Sequence, residues 1–461
     1  MVSIPNASAS TSEAPAVKLP PAPSAADFLP VDKADVDVGR LLFFDPILSG
    51  NRNISCATCH HPAFGTSDGL SLGIGEGGVG LGPDRKPGTG RSRILKRVPR
   101  NSQALWNLGA RDIHTLFHDG RLSVEDLYGN GFNSPAEEWL PEGLDSILAA
   151  QALFPLVAQF EMAGNLNENE IIGAVHDRID AAWPLLVARI RAIDPYVDHF
   201  KNTKAHIRQA GDISIVDIGN AIGAFVNQQW RSINSPFDQY LRGDTSALTS
   251  EQKEGMELFY GTAGCSGCHS GMWLSDQQFH ALALPSFGPG RTRRWNLMAR
   301  DLGRMAETDA LEDAYRFRTP MLRNVAKTAP YGHNGAYPTL DGIIRHHLNP
   351  RVMSAAWTPS MAALPDVPWL AANDFLVQQD EREMQRQRAA LSINPPALDD
   401  AHISALIAFM HALTDAGAQQ VDIPETVPSG LVVDRTLLSL DNEDILHPGS
   451  PDASLEEKLN D

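Results

Sequence analysis

The chain has 461 residues but only four cysteines, and all of them lie in two short runs. These are Cys56-Ala57-Thr58-Cys59-His60 and Cys265-Ser266-Gly267-Cys268-His269. No cysteine is left over for a disulfide framework or a catalytic thiol. Long apolar runs are missing too, so the sequence offers no membrane-spanning helix. Cations are scarce: 38 Lys and Arg stand against 56 Asp and Glu, a formal charge of −18. That balance excludes the basic footprint that nucleic acid needs. It suits docking to a basic partner, and equally suits a solvated acidic surface that keeps a protein soluble. What remains is an ordinary globular composition, 43% hydrophobic, with enough length for two to four domains.

The two cysteine runs share the pattern C-x-x-C-H, the attachment signature of a c-type haem. Two thiols add across the haem vinyl groups, and the adjoining histidine turns under the iron as proximal ligand. A zinc site or a structural disulfide would leave the histidine after each pair unexplained. The expectation is two covalently bound haem c groups, held by Cys56, Cys59 and His60 and by Cys265, Cys268 and His269. Such attachment takes place in bacteria outside the cytoplasm, which implies a periplasmic location. The opening Met1-Val2-Ser3-Ile4-Pro5 has no apolar leader core, so a secretion signal is expected to have been removed or replaced.

Along the chain, residues 1–26 are rich in Ala, Ser and Pro and read as a flexible tail. From Val36 a short amphipathic helix leads into the first motif. Gly73 to Gly90 contains eight glycines and neither histidine nor methionine, so it reads as loop and offers the first iron no sixth ligand. His61 adjoins the proximal ligand and cannot reach the opposite haem face. Apolar spacing predicts helix within 143–163, through Ile147, Leu148, Leu153, Leu156 and Phe160, ending in Glu161-Met162. A long helix is expected from Ile213 to Arg231, and another starting at Thr249-Ser250-Glu251-Gln252 leads to the second motif. The order helix, motif, irregular segment, helix thus occurs twice. The fold expected is mainly α, with two cytochrome-c-like helical domains, each carrying one attached haem, and few short strands. Their expected bounds are 27–244 and 245–420, followed by an acidic C-terminal extension, 421–461. Within the second domain come a helix bearing His346-His347, an insertion over about 350–398, and a closing amphipathic helix from Ala401 to Thr414.

Several runs together resemble the bacterial di-haem cytochrome c peroxidase/MauG family. They are both haem motifs, Arg100-Asn101-Ser102, Asp119-Gly120-Arg121, Asn234-Ser235-Pro236-Phe237-Asp238, and Phe317 to Tyr331. The resemblance spans roughly residues 35–415. It implies a peroxidatic haem in the first domain, a six-coordinate electron-transfer haem in the second, and a calcium ion between them. It also implies a role for particular residues. Gln151, Pro155 and Glu161 match the distal-pocket glutamine, proline and glutamate. Asn101, Thr328 and Pro330 match the residues around calcium. The distal ligand of the second haem, methionine in peroxidases and tyrosine in MauG, falls in register on His347, with His346, Met353 and Met361 as alternatives. The chain departs from the family in three ways. The loop after the first motif lacks the peroxidases' distal histidine. His118 stands where an inter-haem tryptophan is usual. About twenty residues are inserted between Arg121 and Gln151.

The chemistry follows from those positions. Peroxide activation needs an open iron position and a group that moves a proton between the peroxide oxygens. The resemblance points to Glu161 for that acid–base role, with Gln151 orienting peroxide and Pro155 keeping other ligands away. Axial methionine raises the potential of a c-type haem, so imidazole in its place should lower it. That favours a MauG-like hydrogen-peroxide-dependent enzyme, which spreads two oxidising equivalents over both haems in a bis-Fe(IV) state to oxidise a protein or redox partner. The alternatives are a cytochrome c peroxidase fed by a small cytochrome, and a non-catalytic di-haem electron carrier. His118 reads either as a relay or propionate partner between haems, or as a turn residue bonded to backbone. Trp106, Trp230, Trp273 and Trp295 are relays in principle, although large aromatics more often fill cores. Both monomer and homodimer remain open.

Overall fold

The computed structural model describes residues 18–90, 93–291 and 299–434. Most of the amino-terminal tail, Trp295 and the last part of the C-terminal extension therefore lie outside the described residues. Among the described residues the fold is mainly helical, with three two-stranded antiparallel ribbons.

The first half is organised by α1 (Lys33–Phe44), which leads to α2 (Cys56–Cys59), the first motif itself. The ribbon β1–β2 (Gly78–Val79, Lys86–Pro87) interrupts the glycine-rich loop. A second, β3–β4 (Thr115–Leu116, Leu122–Ser123), turns through Phe117-His118-Asp119-Gly120-Arg121, with Gly120 at φ 68. Then come α3 (Ile147–Gln151), α4 (Glu170–Asp177), α5 (Trp183–Arg191), α6 (Asp194–Thr203) and α7 (Ile215–Gln229). The second half begins with α8 (Pro236–Leu241) and α9 (Ser250–Tyr260). β5 (Phe279–His280), α10 (Met305–Thr308), β6 (Phe317–Arg318) and α11 (Leu340–Leu348) follow, β5 pairing with β6. The insertion forms α12 (Pro350–Ala356), α13 (Pro368–Asp374) and α14 (Glu381–Ala389), before α15 (Asp400–Ala412) closes the half.

Each half is built on the same helix crossing. In the first, a Cβ on Gly39 of α1 would lie 1.9 Å from the Ala221 carbonyl oxygen of α7. In the second, a Cβ on Gly255 of α9 would lie 1.9 Å from the Ala405 carbonyl oxygen of α15. A phenylalanine follows one turn on in both cases, Phe225 or Phe409. Only glycine lets two helix backbones approach this closely. Ser214 and Thr249 start the helices α7 and α9 with reciprocal capping by Asp217 and Gln252.

The region 143–163 departs from the single helical run that its spacing suggests. Helix α3 stops at Gln151, Pro155 opens a short turn to Val157, and Gln159–Ala163 forms one π-helical turn. The Ala158 carbonyl accepts from the amides of Glu161, Met162 and Ala163 at 3.1 Å each, which widens that turn. The described ends of the chain are tied down. Leu19 packs against the second-half core, and Arg242 donates to the Pro23 carbonyl at 2.9 Å. The C-terminal segment returns to the first half, where the Thr58 hydroxyl donates to Asp434 at 2.7 Å.

Candidate active site

The first centre gathers around α2. His60 Nδ1 donates to the Thr66 carbonyl at 3.0 Å, which leaves Nε2 as the free ring nitrogen. A backbone partner of this kind fixes tautomer and ring orientation in metal-binding histidines. Burial holds the His60 imidazole below its ordinary pKa and pushes the Cys56 and Cys59 thiols up to about 12. These are groups suited to an apolar prosthetic group, with a neutral imidazole ready to ligate.

Glu161 faces the same space, close enough to act electrostatically on Cys59, as do Arg85 and Asp68. It keeps some accessible surface while enclosed by protein, as expected of a side chain on a cavity wall. Burial raises its pKa, and Arg121 and Arg291 oppose the rise. Its backbone is held on two sides. The Glu76 amide donates to the Phe160 carbonyl at 3.3 Å, and Gly50 to that of Met162 at 2.7 Å. A Cβ on Gly75 would come within 2.2 Å of the Phe160 carbonyl oxygen. Gln151 and Pro155 lie on the segment just before, where α3 packs against β3–β4, and both keep partial exposure.

The second centre opens on a cavity of about 500 Å³, lined by Cys265, Cys268, His269 and His347 among mostly apolar side chains. The His269 and His347 rings face each other with centroids 6.4 Å apart. Each has Nδ1 bonded to a carbonyl, His269 to Leu274 at 3.1 Å and His347 to Ile343 at 2.8 Å. With Nδ1 held in this way, Nε2 is the nitrogen that each ring can offer a metal. Two imidazoles bound on opposite sides of one metal, at about 2 Å per bond, would put their ring centres about 6 Å apart. The spacing fits a six-coordinate haem. Burial, with His347 alongside, holds His269 down to about 4.

His346 faces elsewhere. It is fully buried, receives the Tyr337 hydroxyl on Nδ1 at 2.9 Å and donates from Nε2 to the Leu282 carbonyl at 2.8 Å. Met353 and Met361 pack into a separate apolar cluster with Leu72, Phe287 and Trp357.

The His118 imidazole donates to the Asn101 carbonyl at 3.0 Å and lines the second cavity. Burial and the nearby Arg100 hold it down to about 3, so it stays neutral. His333, to which the sequence assigned no role, stacks on Phe317 with centroids 3.5 Å apart and has a buried Nδ1 without a partner among the described residues. Trp106, Trp230 and Trp273 are all core residues. Of the residues implied for calcium, Asn101 uses its amide nitrogen on the Leu70 carbonyl, and all three line the second cavity. Asn101 Oδ1 and the carbonyl oxygens of Thr328 and Pro330 accept no hydrogen bond among the described residues. Such hard oxygens suit Ca²⁺. Sequence reasoning overlooked the cations around these sites. Arg121 sat in a noted motif but carried no assigned role, and Arg291 comes from a distant segment without any local signal.

Fold and sites define an α-helical protein with paired C-x-x-C-H centres, one beside an enclosed carboxyl and one facing a second histidine. Residues 33–246 match the di-haem cytochrome c peroxidase family. The methylamine utilization protein MauG of Methylorubrum extorquens is 29% identical over 321 residues, 69% of this chain and 70% of that protein. The cytochrome c551 peroxidase of Pseudomonas aeruginosa is 30% identical over 307 residues, 66% of this chain and 69% of that one. The crystal structure of a MauG-like protein associated with microbial copper homeostasis is similar in fold, with a TM-score of 0.56 and 25% identity. It covers 89% of this chain and 97% of its own. The chain belongs to the di-haem cytochrome c peroxidase/MauG family and is an oxidoreductase of that type. The family implies two haem c groups.

Proposed function

We propose that the chain is a MauG-like, hydrogen-peroxide-dependent oxidoreductase. It activates peroxide at the His60 centre and holds the second oxidising equivalent at the His269/His347 centre, to oxidise a protein or redox partner. The observation that carries this reading is the opposed pair of imidazoles at 6.4 Å, each with its Nδ1 occupied by a carbonyl. A bis-histidine centre lacks the methionine that raises potential, so it is a poor entry port for high-potential electrons and a better store for an oxidising equivalent.

Haem c would be held by Cys56, Cys59 and His60 and by Cys265, Cys268, His269 and His347, and would supply the iron needed to cleave peroxide. The protein does the rest. Glu161 takes a proton from one peroxide oxygen and returns it to the other, while Arg121 and Arg291 keep its carboxyl within working range. Gln151 orients peroxide by hydrogen bonding, and Pro155 keeps water and side chains away. The carbonyls of Thr66, Leu274 and Ile343 fix the ligand rings. His118, neutral and bonded to Asn101, tunes the wall between the centres. A calcium ion bound through Asn101, Thr328 and Pro330 ties the two halves together, and the protein works in the periplasm. One calcium per chain by elemental analysis, lost with activity on chelation, is the expected result for that ion.

The deciding experiment adds one equivalent of peroxide to the fully oxidised protein and follows the spectrum. A long-lived near-infrared band, reporting charge shared between centres, is expected. A reaction seen only after half-reduction would replace this reading with that of a cytochrome c peroxidase. Absence of any high-spin ferric signal in electron paramagnetic resonance of the oxidised protein, before peroxide is added, would instead leave an electron carrier.

A further inference from the structure

We propose that the exposed face of segment 124–145, the insert between β4 and α3, is the docking platform for a basic redox protein. The proposal rests on the function proposed above and gives its partner a charge and a landing place.

The insert is anchored from below. Leu122, Phe132, Ala136, Leu140 and Leu144 are buried. Its two exposed arms are joined at Asn130, whose amide donates to the carbonyls of Glu137 at 2.9 Å and Leu140 at 3.2 Å. The Gly131 amide donates to Asp126 at 2.8 Å, and Ser123 and Asn133 exchange backbone hydrogen bonds. A segment fixed in this way presents its outer side chains without a large ordering cost on binding.

Those outer side chains are of two kinds. Val124, Leu127, Tyr128 and Trp139 are exposed at 46%, 65%, 39% and 44%. Four large apolar side chains exposed on one short, anchored segment offer a contact surface, and Trp and Tyr commonly anchor such contacts. Arg178 lies over the Trp139 ring at 3.7 Å and is itself paired with Asp180, so the indole is held in place without adding net positive charge. Around these residues stand the exposed carboxylates of Glu125, Asp126, Glu137, Glu138, Glu142 and Asp145, and no Lys, Arg or His occurs from Leu122 to Ser146. Exposed apolar side chains interspersed with six carboxylates, the adjoining cation Arg178 being paired with Asp180, favour a partner with the reverse charge. The platform follows directly on the ribbon that carries Arg121, one of the two cations acting on Glu161.

Calorimetric titration of the full holoprotein with a basic c-type cytochrome, at low and physiological ionic strength, tests the proposal. The paired change Glu137→Lys and Glu138→Lys should weaken binding by about ten-fold or more at low salt. The matched change Glu254→Lys and Glu257→Lys on α9 shifts net charge equally and should weaken it by less than about three-fold. Trp139→Ala should weaken binding several-fold at both salt concentrations. Equal weakening by the two charge pairs would overturn the platform, as would no binding of the basic cytochrome by the unaltered protein. Peroxide reactivity measured without partner reports on the proposed function separately. A protein that binds the cytochrome through this face yet ignores peroxide keeps its docking site and loses its assigned chemistry.

Discussion

A carboxyl enclosed by protein resists ionisation, and at Glu161 two guanidiniums oppose that resistance without cancelling it. To take a proton from peroxide the group must be ionised, so the reaction should slow as pH falls through its pKa. Because that pKa is raised, the acid limb should lie above the ordinary glutamate value of about 4.3. Glu161→Gln should remove the limb and slow the peroxide reaction by about 100- to 10,000-fold with haem content unchanged; stopped-flow rates across pH check both. Asp119 shows the opposite sign. Against the upward push of burial, Arg100, Arg121 and Arg291 hold it well below its usual range, with contacts of 2.7, 3.1 and 2.7 Å. Its folded pKa is depressed, so its stabilisation is complete above the unfolded value of 3.8 and is lost as pH falls through the folded one. Asp119→Asn should cost about 3–5 kcal/mol in denaturant unfolding at pH 7, and the difference from the unaltered protein should narrow only in strong acid. Sequence exposed Asp119 and Arg121 as a motif. It could not show that Arg291 and Arg100 converge on them, because those partners are set by tertiary packing alone.

At the scale of elements, α11 separates two adjacent histidines. Neighbours on a helix point about 100° apart, and the structure spends both nitrogens of His346 inside the protein while leaving Nε2 of His347 free beside the cavity. His347→Ala should abolish the low-spin signal of the second centre, and added imidazole should restore it. His346→Phe should leave that signal in place, and a loss there instead would reverse the assignment. The helices α1, α7, α9 and α15 were legible in the sequence because apolar spacing, capping residues and one buried face all agree. The stretch 143–163 was not, since its apolar positions fit a helix while Pro155 and the shared Ala158 carbonyl break it into separate turns. Glu161 lies on the π-helical turn that follows the break.

The whole molecule is held together by segments whose roles have no local signature. The glycine-rich loop after the first motif has little regular structure of its own, yet the distant insertion fixes it along its length. Ser71 and Ala363 exchange hydrogen bonds of 2.9 and 2.8 Å, and Trp369 donates to the Ile94 carbonyl at 2.8 Å. Ile74 and Ile94 pack with Val367 and Leu370. At the centre of this clamp Arg97 makes a two-pronged contact to Asp374, both bonds 2.9 Å, with the side chains 2% and 6% exposed. Sequence read 350–398 as an insertion without a task, because contacts across such separations leave no periodicity to detect. The loop in turn packs through Gly75 onto the backbone beside Glu161, so the clamp joins the second half to the wall of the first centre. Asp374→Ala would leave Arg97 charged, buried and unpaired, at a cost of about 3–5 kcal/mol. Hydrogen exchange should then quicken in the loop from Ser71 to Val98 before it does in α9 or α15, and the peroxide reaction should change while the low-spin signal of the second centre does not. Exchange that quickened equally in both halves would mean that the pair supports global stability alone. Exchange confined to the loop would make the insertion the element that keeps the peroxide-reacting wall in register.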